Sequence, residues 1–152
     1  GLVHKSYRIR KPGMPLISYM DMPSFKIYMS DVGLLGARCN LDAITLLEGN
    51  SIFTEFKGAL TEQFVAQELA SSGMELYYYN AENSSGKVDF VVQRAGKVIP
   101  VEEENLQAKS LRALCRKYGL TGAVRSSMSG YREQEWMVNV PLYMLRVYMQ
   151  NC

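Results

Sequence analysis

Two acidic side chains, Asp89 and Glu102, carry the clearest chemical signal in this sequence. Lys87-Val88-Asp89-Phe90-Val91-Val92-Gln93-Arg94 reads as one strand, and Lys97-Val98-Ile99-Pro100-Val101-Glu102 reads as the next. Ala95-Gly96 joins them as a two-residue turn, with glycine supplying the positive φ that such turns require. A two-residue turn fixes the register of a hairpin. It sets Arg94 opposite Lys97, Val92 opposite Ile99, Phe90 opposite Val101 and Asp89 opposite Glu102. Like charges directly across a sheet repel. A cation between them, or a proton on one of them, removes the repulsion. One carboxylate per strand aimed at one point is a donor set for Mg²⁺ or Mn²⁺. The plain alternative is a solvated Asp at the start of a strand.

Other chemistries find little support. His4 is the only histidine, which rules out multi-histidine metal sites and makes Ser-His or Cys-His catalysis a poor fit. Cys39, Cys115 and Cys152 are odd in number and far apart, so neither a disulfide framework nor a structural zinc site is expected. Cys39 and Cys115 read as small core residues in helical patterns. This cysteine usage fits a reducing, cytoplasmic setting. No glycine-rich phosphate loop occurs. The 152 residues suit one domain, with 47% hydrophobic and 21% charged residues and a net charge of +2. That charge is too small to mark a nucleic-acid binder by itself. No apolar run approaches the ~20 residues of a membrane span, and nothing at the start resembles a signal peptide, since His4, Lys5, Arg8, Arg10 and Lys11 interrupt any apolar stretch. A start at Gly1 without Met points to a fragment of a longer protein.

The elements that must position the hairpin follow from local patterns. Residues 3–10 form a short strand. Residues 11–24, with Pro12, Gly13, Pro15 and Pro23, form irregular chain. We therefore expect an N-terminal strand and Pro-rich linker over 1–24, joining an upstream region, and a domain over 25–152. Phe25–Met29 alternates as a strand. Asp31 caps one helix and Asp42 a second. A long helix runs from about Ile52 to Ser72, stopped by Gly73, with Leu60, Phe64, Val65 and Leu69 as its core stripe. Glu62 lies at the edge of that stripe. Strands follow at 75–79, in the hairpin, at 122–126 and at 136–140. A helix fills 106–118, and Pro141 opens a last one. The expected class is α/β, of mixed α+β type, with a central mixed β-sheet flanked by helices.

Three acids from separate elements then stand in order: Glu62 on a helix, Asp89 and Glu102 on the hairpin. This arrangement resembles the PD-(D/E)XK nuclease fold, whose helix carries one acid and whose hairpin carries Asp and then Glu-x-Lys. Nearly the whole chain is similar to the C-terminal domain, of unknown function, found in a family of prokaryotic AAA-type ATPases. The segments that carry the likeness are 25–35, 58–65, Val88-Asp89-Phe90-Val91, Ile99-Pro100-Val101-Glu102, Lys109-Ser110-Leu111 and Asn139-Val140-Pro141-Leu142-Tyr143. The resemblance implies a restriction-endonuclease-like fold, a metal shell of Asp89, Glu102 and Glu62, and an upstream ATPase partner.

One departure stands out. Glu102 is followed by Glu103 and Glu104, not by the family's lysine two residues on. Either the lysine is lost, or a few residues are missing between Glu102 and Glu103; resumption of the pattern on both sides favours the second. Lys87, on the same strand face as Asp89 and facing Glu104, and Lys109 are stand-ins for the catalytic lysine. Lys109, Arg112, Arg116, Lys117, Arg125 and Arg132 are available as phosphate contacts, or form a solvated basic face. Tyr77, Tyr78 and Tyr79 either stack on bases or pack on both faces of the sheet. The expected function is a nuclease-like module of an ATPase that binds nucleic acid or regulates, with catalysis lost. The alternatives are a Mg²⁺-dependent phosphodiesterase on DNA or RNA, and an oligomerisation or scaffold domain.

Overall fold

The computed structural model describes residues 1–34, 51–81, 86–103 and 108–152, the side chains of 51–56 excepted. Its strands are β1 (Val3–Ile9), β2 (Met20–Met29), β3 (Leu76–Asn80), β4 (Lys87–Arg94), β5 (Lys97–Glu103), β6 (Ala123–Ser127), β7 (Arg132–Glu133) and β8 (Met137–Pro141). The helices are α1 (Ser51–Ser71), α2 (Lys109–Tyr118) and α3 (Leu145–Gln150), with 3₁₀ turns at Leu16–Tyr19 and Leu142–Met144. Among the described residues the strands form one sheet in the order β2-β1-β3-β4-β5-β6-β8-β7. It is mixed: β1–β3, β5–β6 and β6–β8 run parallel, and the other neighbours antiparallel. The expected α/β class and the central mixed sheet are what the chain adopts.

Both faces of the sheet are covered, and each cover follows from the sequence pattern. Val65, Ala66 and Leu69 of α1, with Leu145 and Met149 of α3, bury against Phe90, Val92, Ile99, Val101, Val124 and Val140. Leu111, Leu114 and Cys115 of α2 bury against Val88, Val91, Tyr77, Tyr79 and Ala123 on the other face. Each fully buried aliphatic contributes about 1.5–3 kcal/mol. Tyr77 and Tyr79 are thus core residues. Leu60 and Phe64, expected in the core stripe, are only half-buried. They line an open apolar hollow with Val32, Met128, Leu142 and Tyr143.

The hairpin forms at the expected register over Arg94↔Lys97, Val92↔Ile99 and Phe90↔Val101. Ala95 and Gly96 both take positive φ, 48° and 73°, which matches the right-handed twist of the flanking strands. Strand β5 runs unbroken through Glu102 and Glu103, registered against Arg125 and Ser126 of β6. The chain is continuous there, so no residues are missing between Glu102 and Glu103. β1 sits inside the sheet between β2 and β3. β2 starts at Met20, five residues before the expected Phe25, and carries Pro23 at the sheet edge, where a missing N–H is tolerated. Asp31 accepts the Gly33 N–H at 2.6 Å, as a helix cap does. The remainder of that helix, the helix expected after Asp42, Cys39 and the Glu104–Lys87 pairing lie outside the described residues.

Candidate functional site

The site is built by a one-residue irregularity. Between β3 and β4 the register passes from Tyr77↔Val91 to Tyr79↔Val88, so two residues of β3 oppose three of β4. Val88 packs toward α2, whereas Phe90 packs toward α1. The extra residue lets Asp89 point to the α1 side along with Phe90, as a bulge re-aims a side chain. The β4–β5 ladder accordingly ends at Phe90↔Val101. Asp89 does not face Glu102, contrary to the expectation from the turn.

Strand parity decides the third acid. Ile99 and Val101 of β5 face α1, so Glu103 follows them and Glu102 does not. Glu102 is 4% exposed on the opposite, α2 side of the sheet, with Val98 and Pro100 as its neighbours of like parity. It does not join Glu62 and Asp89; Glu103 does. Lys109 is the exposed first residue of α2, also across the sheet from the acids. Of the residues the sequence singled out, the structure brings together Glu62, Asp89 and Lys87, and sets Glu102 and Lys109 apart.

β2 completes the cluster with two residues the sequence reading missed, Lys26 and Tyr28. Glu62 Oε1 accepts from Lys26 Nζ at 2.8 Å and from Tyr28 Oη at 2.5 Å. Lys87 Nζ lies 2.9 Å from Asp89 Oδ1, and Lys26 Nζ lies 4.0 Å from the same oxygen. Lys26 also stands 5.2 Å above the Tyr78 ring. A grip between α1 and β2 holds this geometry. The buried Gln63 amide donates to Met29 O at 2.6 Å and accepts from Met29 N at 2.9 Å, and Gln67 accepts from Val32 N at 2.8 Å. Alternation in Phe25-Lys26-Ile27-Tyr28 was a readable sign that Lys26 and Tyr28 share a face.

Electrostatics follow from these contacts. Burial pushes the Glu62 carboxyl up, but hydrogen bonds from Lys26 and Tyr28 and the charges of Lys26 and Lys87 outweigh it, leaving Glu62 below its ordinary value. Burial, the Glu62 hydrogen bond and the nearby carboxylates hold the Tyr28 phenol far above its ordinary range. Burial works against the Lys87 ammonium, yet Asp89 and Glu62 raise it overall. Glu103 is pushed up to about 8, by burial first and then by the charges of Asp89 and Glu62. Its Oε2 is sealed from solvent with no hydrogen-bond partner among the described residues.

That set does not fit a divalent cation. Oxygen ligands must be free to face the metal, but an ammonium group sits against each of Glu62 and Asp89, at 2.8 and 2.9 Å. Among the described residues no three His, Cys, Asp or Glu side chains are disposed to hold a metal ion. No described helix is long and apolar enough to cross a membrane.

A family model described as Domain of unknown function (DUF4143) matches residues 57–145. The match spans Glu62, Lys87, Asp89 and Glu103, while Lys26 and Tyr28 lie upstream of it. No curated protein and no solved structure matches the chain.

Proposed function

The chain belongs to the DUF4143 family, and from that premise we propose that it is a nuclease-like module of an AAA-type ATPase that binds nucleic acid or regulates without cleaving. The observation that carries this reading is the pairing of Glu62 with Lys26 at 2.8 Å and of Asp89 with Lys87 at 2.9 Å. Phosphodiester hydrolysis needs an activated water and positive charge on the scissile phosphate. Carboxylates already neutralised by lysines attract a metal weakly. Tyr28, held as a neutral phenol, occupies a further lone pair of Glu62. Acids in this state stabilise a fold more than they drive a reaction.

The test is a nicking assay on supercoiled plasmid and on single-stranded RNA with Mg²⁺ or Mn²⁺, alongside Asp89→Asn. We expect the same background from both proteins. Metal-dependent nicking that Asp89→Asn abolishes would establish the phosphodiesterase instead. One observation favours a second reading, an oligomerisation or scaffold role: β2 is an edge strand that exposes Met22, Phe25 and Ile27. Sedimentation of the full chain over a concentration series checks it, with a constant monomer mass as the result against it.

A further inference from the structure

The face of the sheet away from the acid cluster is covered by a helix of one charge sign. From residue 105 to 132 the sequence holds Lys109, Arg112, Arg116, Lys117, Arg125 and Arg132 and no Asp or Glu. Helix α2 lies in this stretch and buries Leu111, Leu114 and Cys115, which turns Lys109, Arg112, Arg116 and Lys117 outward. Lys109, Arg112 and Arg116 follow the i, i+3, i+7 spacing of a single helical stripe, about 10 Å long. Among the described residues none of these three is in an ion pair. The Arg112 guanidinium lies 5.7 Å from the Trp136 ring, which orients it and leaves its charge uncompensated.

We propose that this outward stripe of α2 docks the phosphodiester backbone of a nucleic acid. Charge complementarity selects a polyanion. The absence of any large exposed apolar side chain between Lys109 and Tyr118 selects a nucleic acid over an acidic protein segment. Protein interfaces draw their affinity from buried aromatic and aliphatic anchors, whereas nucleic-acid backbones bind by displacing counterions. Guanidinium groups match phosphate oxygens in bidentate fashion. The bound strand would lie across the sheet from Glu62 and Asp89, so contact with α2 does not present a phosphate to the acids. The inference rests on the nucleic-acid-binding reading above and adds the surface.

The experiment is fluorescence anisotropy of a labelled random-sequence DNA duplex with the full chain across a salt series. Three phosphate contacts predict a log–log salt slope near −3. Lys109→Glu combined with Arg116→Glu should make that slope shallower by about 2, while Lys97→Glu, at the start of β5, leaves it unchanged. If the double variant fails to fold by circular dichroism, Arg116→Gln alone should shift the slope by about 1. Duplex binding that these variants leave untouched would overturn the α2 surface and spare the nucleic-acid reading. No duplex binding at low salt would overturn both. Polyglutamate binding as tightly as the duplex at equal salt would overturn the assignment to a nucleic acid.

Discussion

Glu103 concentrates the physical tension of the site in one side chain. Its carboxyl moves from an ordinary 4.5 to about 8, because burial and the charges of Asp89 and Glu62 oppose ionisation. For an acid raised on folding, the folded state holds more protons than the unfolded state between those values. Stability from this group is therefore intact below pH 4.5 and falls as pH rises toward 8. Glu103→Gln carries no charge to suppress. We expect it to melt higher than the wild type at pH 8, with the gap closing toward pH 4, in thermal melts across that range. Glu62 has the opposite sign. Its carboxyl is held below its ordinary value through Lys26 and Tyr28, so its contribution is present above the unfolded value and is lost on acidification. Lys26→Met should therefore cost more stability at pH 7 than at pH 3, read by urea unfolding at both values.

At the scale of elements, α1 and β2 hold the site through Gln63. This buried amide makes two hydrogen bonds to the backbone of Met29, the residue after Tyr28. Gln63→Ala leaves both backbone groups without that partner. A loss of about 2 kcal/mol is expected, at about 1 kcal/mol per bond, measurable by chemical denaturation. The same elements show what the sequence made legible. The hairpin register was readable because a two-residue turn with glycine fixes it, and α1 and α2 were readable from their apolar spacing and terminal glycines. The bulge at Asp89 was not readable: no Gly or Pro marks it, and it arises from pairing with β3, a contact remote in sequence. That one residue moved Asp89 to the α1 face and left Glu102 on the other. Counting parity from Ile99 and Val101 would have selected Glu103. The early start of β2, through Pro23, was hidden because proline usually interrupts a strand, and only its edge position permits it.

At the scale of the whole molecule, the sheet separates two charge environments. On the α1 face, Glu62 pairs with Lys26 and Asp89 with Lys87, beside the half-buried Glu103. On the α2 face, Lys109, Arg112, Arg116 and Lys117 stand outward on a helix that holds no acid. Helix α1, the hairpin and the β5–α2–β6 crossover frame the acid cluster, and β2 and β4 supply its two lysines. The ammonium groups of Lys26 and Lys87 lie 2.8 Å from Glu62 and 2.9 Å from Asp89, and on the proposed reading they compete with a metal for those carboxylates. Calorimetric titration of the full chain with Mg²⁺, up to about 10 mM, with Asp89→Asn as the reference, tests this most directly. The account predicts no saturable heat and identical traces for the two proteins. Saturable binding that Asp89→Asn removes would contradict it.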